Sequence, residues 1–425
     1  MRGDVFHFEN HRLTVDAVRL SDVTDTVPTP FYIYALAPLI ERYRALDRAF
    51  ASTPHLHCVA MKANSQPALL RPLAAEGAGA EVVSGAELAL ALELGFAPSR
   101  IVFSGVGKTE RELVSGLRAD VRMFLVESET ELRVLDRLNT LAASEGRRAR
   151  VALRLNPNID PKTHRHIATG VSAAKFGVDP DAARDLYRRH REFSHLEFVG
   201  VHSHIGSQIT SVGPLADNAR VLARWVRELR DAGVPIRYID IGGGLGIPYH
   251  GDDRDTPGFE AYAEAVLPHL NELDVEIITE PGRVLLGPIG AFIVTVLYVK
   301  TVHGRSFAVV DAGLNDLIRP AFYDAFHRVV PLIDKNDRNA LTATVDVVGA
   351  VCESSDVFAR DRELPVLARG DCLAILDTGA YGFAMSSNYN LRPRPAELVV
   401  DGGGYRVVRE AETEAELVAR ELGRR

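Results

Sequence analysis

Short apolar runs that stop at glycine or a polar residue recur along the middle of the chain, and each leads into residues at helical spacing. They fall at 56–61, 80–83, 101–103, 123–126, 151–155, 198–201, 238–241 and 275–279. Three of the helical stretches open on a hydroxyl residue with a glutamate three places on: Ser84 with Glu87, Thr109 with Glu112, and Ser128 with Glu131. Such a pair can satisfy the unpaired N–H groups of a helix start from both sides. Strand, cap and helix repeated in phase predict a parallel sheet with right-handed crossovers. Eight units in about 230 residues favour a closed (β/α)8 barrel over an open doubly wound sheet.

The flanks read differently. Residues 11–20 alternate apolar and polar positions, Val27-Pro28-Thr29-Pro30 breaks the pattern, and Phe31-Tyr32-Ile33-Tyr34 is a further apolar run. Pro38 opens an amphipathic helix through Leu39, Ile40, Tyr43, Leu46 and Phe50. Past residue 290, β-rich runs occupy 291–302, 307–310, 342–351, 372–376 and 398–408, the last interrupted by Gly402-Gly403-Gly404 as a hairpin turn. A second, mainly antiparallel β domain is expected there, completed by a strand at 11–20 and closed by a short helix capped at Thr413 and Glu416. The expected division is a barrel over 30–287 and a β domain made of 1–29 and 288–425.

Composition narrows the class. The chain has 425 residues, enough for two domains, with 46% hydrophobic and 25% charged residues, as in ordinary globular proteins. A formal net charge of −8 argues against nucleic acid or an anionic membrane as partner. Cys58, Cys352 and Cys372 have no CxxC spacing, which excludes a disulfide framework and a cysteine-rich zinc site. No signal peptide or spanning segment is evident, and a soluble cytoplasmic protein is expected.

The candidate chemistry sits at the ends of the predicted strands, which a barrel gathers at one mouth. The first run ends in Lys62, where desolvation would lower the amine's pKa and make it a nucleophile, although a strand-end lysine can also merely snorkel. Asp240-Ile241-Gly242-Gly243-Gly244 lets backbone N–H groups approach an anion. His202 and His204 read either as metal ligands or, with His204 alone, as an imidazole against a flat cofactor ring with Ser207 near a phosphate. The metal reading ranks lower, because the other strand ends hold Lys62, Asn156 and glycines. Glu280, ending the last strand, can pair with the lysine or hold a heteroaromatic nitrogen protonated. Together these partners specify pyridoxal phosphate.

With these motifs in view, the chain resembles the barrel-type (fold type III) pyridoxal-phosphate decarboxylases and, within that family, the diaminopimelate branch. The likeness runs from about residue 30 to about 417. Its marks are Ala60-Met61-Lys62-Ala63-Asn64, His204-Ile205-Gly206-Ser207-Gln208, the glycine triplet and Glu280-Pro281-Gly282-Arg283. The diaminopimelate branch is marked by Asn156-Pro157, Lys162-Thr163-His164, Lys175-Phe176-Gly177, the run from Asp311 to Pro320, Val351-Cys352-Glu353-Ser354 and the run from Gly379 to Asn390.

The resemblance implies decarboxylation of meso-2,6-diaminopimelate to L-lysine and carbon dioxide, the last step of lysine biosynthesis. It implies that Lys62 carries the cofactor as a Schiff base and that His204 stacks on its ring. Glu280 pairs with the pyridinium, and Ser207, Gly243, Gly244, Gly282 and Arg283 hold the phosphate, with Tyr381 touching the cofactor. Arg283, Arg319, Tyr323, Glu353 and Tyr381 hold the substrate: the arginines take its distal carboxylate and Glu353 its distal ammonium. Cys352 is the implied proton donor. A homodimer with shared sites is expected, the Cys352–Glu353 loop reaching into the partner. Pro28, Met61, Ala350 and Ser355 depart from the family's usual residues, the last two bearing on that loop's flexibility. Other readings are a sister decarboxylase or racemase acting on another amino acid, a non-catalytic binding protein, and, more distantly, a metal-dependent barrel hydrolase.

Overall fold

The computed structural model describes residues 5–142, 147–160, 175–250, 256–334 and 341–424. Lys162-Thr163-His164 therefore lies outside the described residues. The chain divides into two compact units: residues 1–41, 248–252 and 285–425 form one, and residues 42–247 and 253–284 the other.

The first unit starts with a small antiparallel sheet of β1 (His7–Glu9), β2 (Arg12–Val15) and β3 (Val18–Arg19). The strand expected at 11–20 is thus two strands. Asp16 and Ala17 adopt left-handed backbone (φ 48° and 37°) and reverse the chain between them. This sheet does not extend the large sheet of the unit, but Leu13, Val15 and Val18 pack into the same apolar core. The strand that does extend it is β4 (Phe31–Ala35), the apolar run read above as the head of the barrel segment.

The second unit holds β5 (His55–Ala60), β6 (Gly79–Val82), β7 (Ile101–Phe103), β8 (Met123–Val126), β9 (Ala149–Arg154), β10 (Leu196–His202), β11 (Tyr238–Asp240) and β12 (Glu276–Thr279). All eight pair in parallel, and β12 closes on β5 with Ile277 opposite His55. Every strand predicted for the barrel is present to within two residues at either end. One buried cluster gathers Leu56, Cys58, Val102, Met123, Leu125, Ala152, Val199 and Ile278. Alternate residues from so many strands can meet only in the lumen, so it is a packed core and not a pore. On β5 this leaves His55, His57 and Val59 pointing outward.

Local chemistry fixes where the helices begin. Thr109 and Glu112 form a complete capping box at Glu110–Ala119, and Thr413 and Glu416 form another at Glu414–Glu421. At the other two starts only half of the box forms. Ser84 and Ser128 accept from the N–H groups of Glu87 and Glu131, but those carboxylates reach one residue further back, to the N–H groups of Val83 and Glu127.

Returning to the first unit, the later strands are β13 (Gly290–Val302), β14 (Arg305–Val310), β15 (Val329–Pro331), β16 (Thr342–Val348), β17 (Val357–Pro365), β18 (Cys372–Leu376), β19 (Ala396–Asp401) and β20 (Gly404–Arg409). With β4 they make a nine-stranded sheet in which only β14–β16 and β4–β19 pair in parallel. Strand β4 is buried on both faces. Phe31 and Ile33 enter the apolar core, while Tyr34 donates to Glu397 at 2.8 Å and Tyr32 stacks on Phe292 with ring centroids 4.5 Å apart. Gly402 and Gly403, with φ of 60° and 77°, make the tight hairpin between β19 and β20. No helix among the described residues is long and apolar enough to cross a membrane.

The β5–β6 register is set by a glycine. A Cβ on Gly79 would lie 2.5 Å from the Arg100 carbonyl oxygen and 2.7 Å from Cys58 Sγ. Gly79→Ala should cost about 1–3 kcal/mol through overpacking and lower the melting temperature accordingly. An unchanged melting temperature in a thermal scan would contradict this packing.

Candidate active site

The C-terminal ends of the barrel strands share one rim, and that rim carries most of the charge buried in the second unit. Lys62 sits in the turn Met61–Ala63 directly after β5. Its ammonium donates to Glu81 Oε2 at 2.6 Å, and Glu81 is fully buried on β6. The pairing follows from register, since Glu81 lies opposite Ala60 across the β5–β6 ladder. Of the two roles open to Glu280, lysine partner or ring-nitrogen partner, the first is filled here by Glu81, which accepts from Lys62. Burial pushes the Glu81 carboxyl above its usual range, with Lys62 pulling the other way.

Glu280 follows β12 and is buried, with Oε1 3.5 Å from His202 Nε2. Burial opposes its ionisation, but His202 and Lys62 outweigh that and hold it at about 2. Asp240, ending β11, accepts from the Gly242 N–H at 2.9 Å, and burial, reinforced by the charge of Glu280, pushes it well up. His202, Asp240 and Glu280 thus form one tight buried cluster. His202 is not paired with His204, which lies beyond the strand. There Gly243 N–H donates to His204 Nδ1 at 3.1 Å, and burial lowers that imidazole to about 3, so it is neutral with its proton on Nε2.

The glycine triplet is obligatory. Gly242 and Gly244 have φ of 70° and 114°, and a Cβ on Gly243 would collide with the Glu280 carbonyl. Nearby, Arg283 is buried and its Nη2 donates to Ser207 Oγ at 3.0 Å. Further round the rim, Arg154 and Glu127 form a buried ion pair at 2.8 Å, and Phe176 lies under the Arg154 guanidinium at 4.5 Å. Gly177 N–H donates to Glu127 Oε2 at 2.9 Å, which ties the Lys175-Phe176-Gly177 motif to β8 and β9.

The remaining expected residues belong to the first unit. Arg319 is buried, its Nη1 2.7 Å from His327 Nε2 and its guanidinium over the Tyr249 ring at 4.7 Å. His327 Nδ1 faces the Leu376 carbonyl at 2.7 Å. Nδ1 must therefore carry the proton, and Nε2 accepts from Arg319. Cys352 and Glu353 are exposed, and the Tyr389 hydroxyl donates to Glu353 Oε1 at 2.5 Å. The loop bearing them is anchored at both ends. Ala350 N–H donates to the Ala312 carbonyl, and Asp356 accepts from Leu314 and Val351 N–H, each at 2.7 Å. Tyr323 packs edge-on against Phe322, and Tyr381 has left-handed backbone with φ 58°.

Comparison with known proteins decides the family. Residues 36–287 match the model described as pyridoxal-dependent decarboxylase, pyridoxal binding domain. A diaminopimelate decarboxylase of Pseudomonas aeruginosa is 43% identical, covering 98% of this chain and 99% of its own. The chain belongs to the diaminopimelate decarboxylase family. Solved relatives agree. The Helicobacter pylori enzyme, complexed with L-lysine, is 38% identical with a TM-score of 0.90, covering 95% of this chain and 100% of its own. The M. jannaschii enzyme, also with L-lysine, is 35% identical with a TM-score of 0.92, covering 98% of each chain.

Glu81 in the second unit, and His327 and Tyr249 in the first, are partners that motif reading passed over. Glu81 carried a usable signal, because a glutamate inside a four-residue apolar strand is buried and must be paired. The half-buried, neutral imidazole of His204 has a consequence for pH. From its ordinary 6.5 down to about 3, the unfolded chain binds a proton that the folded chain refuses. Stability is therefore full above that window and is lost as the pH falls through it. With cofactor removed, the melting temperature should fall between about pH 7 and about pH 5, less steeply in His204→Gln. A flat profile would contradict the neutral imidazole.

Proposed function

We propose that this chain removes one carboxylate of meso-2,6-diaminopimelate, giving L-lysine and carbon dioxide in the closing step of lysine biosynthesis. The observation that carries the reading is Lys62, held at the rim by Glu81, in the same cradle as an ionised, buried Glu280. The cradle suits pyridoxal phosphate on its own chemistry. It has a primary amine, a carboxylate that stays charged while buried, and glycines that admit no side chain. It also has buried polar atoms without a hydrogen-bond partner, Asp240 Oδ2 and Ser203 Oγ among them.

That cofactor supplies an electron sink for the bond-breaking step, and the chain's own groups do the rest. Lys62 would hold the cofactor, with Glu81 balancing the lysine's charge. Glu280 would keep a proton on the cofactor's ring nitrogen, and the neutral His204 would lie against the ring without adding a second positive charge. Ser207, Gly243, Gly244, Gly282 and Arg283 would receive its phosphate, and Tyr381 would border it. Arg319, its guanidinium oriented by His327 and Tyr249, takes the distal carboxylate with Arg283 and Tyr323. Glu353, set by Tyr389, takes the distal ammonium. The Cys352 thiol returns a proton to the α-carbon.

The exposure of Cys352 and Glu353 supports a homodimer in which their loop enters the partner's site. Three free cysteines support a reducing, cytoplasmic setting. Carbon dioxide release from a panel of amino acids tests the assignment: meso-diaminopimelate should be turned over, and lysine, ornithine and arginine should not. Release from a basic amino acid with none from diaminopimelate would overturn it. Cys352→Ala should keep the cofactor's absorbance and lose about 100-fold or more in kcat; unchanged turnover would remove the thiol from the proton step.

A further inference from the structure

The last lumen layer before the barrel mouth holds three polar side chains that the register of β10, β11 and β12 brings together. Ile278, a residue of the lumen cluster, lies opposite Asp240, and Asp240 lies opposite His202. Glu280 comes two residues after Ile278, the period that keeps a strand side chain on one face. One polar atom from each of the three lies within 4.8 Å of the others, and all three residues are buried.

Two carboxylates this close cannot both be ionised out of water without a large penalty. Asp240 has one oxygen bonded to the Gly242 N–H, while Asp240 Oδ2 and Glu280 Oε1 have no hydrogen-bond partner among the described residues. His202 breaks the tie. Its Nε2 lies 3.5 Å from Glu280 Oε1, at the outer limit of a hydrogen bond, and neither ring nitrogen has a closer partner among the described residues. A buried imidazole needs an acceptor for its N–H, and the carboxylate paired with it is that of Glu280. Polar contacts of this length tighten when a site is filled. Burial disfavours the Glu280 anion, and the largest influence in its favour is His202, ahead of Lys62. For Asp240, burial and the Glu280 charge prevail over the Gly242 N–H and Lys62.

We propose that His202 is a positioning residue that fixes Glu280, rather than Asp240, as the charged carboxylate below the mouth and so keeps a proton on the ring nitrogen of the bound cofactor. The inference rests on the pyridoxal-phosphate reading above. One Glu280 oxygen held by His202 leaves the other to face the ring. His202 therefore acts through Glu280 and does not itself touch the cofactor.

The test uses the full chain loaded with pyridoxal phosphate carrying nitrogen-15 in its ring, whose chemical shift reports ring protonation directly. At neutral pH the parent ring should be protonated. Glu280→Gln should lose that proton, and so should His202→Phe and the smaller His202→Ala, each holding the cofactor about 10-fold more weakly. His202→Gln, which can still donate an N–H to Glu280, should keep the proton. Asp240→Asn, which removes the competing acid but not the bond to Gly242, should keep it too. A residue that merely fills space would, when replaced, weaken cofactor retention without moving the ring signal. A ring that stays protonated in His202→Phe and His202→Ala would therefore overturn the role of His202 and leave the cofactor reading standing. Loss of the proton in every variant alike, or a parent ring without it, would also overturn that role. A parent chain that takes up no cofactor would overturn the pyridoxal-phosphate reading and this inference with it.

Discussion

The barrel unit is governed by a charge constraint at its rim. Glu81, Asp240 and Glu280 are all buried there, and carboxylates out of water are costly unless cations or hydrogen bonds compensate them. Lys62, His202 and the Gly242 N–H supply that compensation. The outcome is unequal: Glu280 stays ionised, whereas Glu81 and Asp240 are pushed toward protonation. The proposed roles, a proton kept on a ring beside Glu280 and an amine at Lys62, would need that kind of inequality. The packed lumen beneath does not contribute chemistry, but it holds the strand ends that carry these groups in register.

The first unit meets a related demand by different means. Arg319 is a buried cation whose orientation is over-determined by a hydrogen bond to His327 on one side and the Tyr249 ring on another. His327 is in turn fixed by the Leu376 carbonyl at the end of β18. The guanidinium is thereby held in one orientation, as the proposed carboxylate role requires. Cys352 and Glu353, by contrast, sit on an exposed loop whose two ends are bonded to the 312–314 segment. That gives a firm base with Cys352 and Glu353 exposed at the tip.

Much of this was legible in the sequence. The eight barrel strands could be read because each is short, apolar and followed by a cap, so hydrophobic period and helix signal agree. The candidate motifs could be read because lysine, glycine triplet and glutamate each follow such a strand. The failures have physical causes. The 11–20 segment alternates like one strand, but two non-glycine residues take left-handed backbone in its middle, which alternation does not reveal. The partners Glu81, His327, Tyr249 and Tyr389 are set by ladder register and tertiary packing. Only Glu81, as an acid within a buried strand, left a local trace.

The central claim is that Lys62 is the amine that holds the cofactor, and it can be tested by reduction and mapping. Borohydride treatment of the purified, yellow protein followed by peptide mass analysis should place the reduced pyridoxyl group on the peptide containing Lys62, with no label in Lys62→Ala. A colourless protein, or a label confined to any other lysine, would contradict the account.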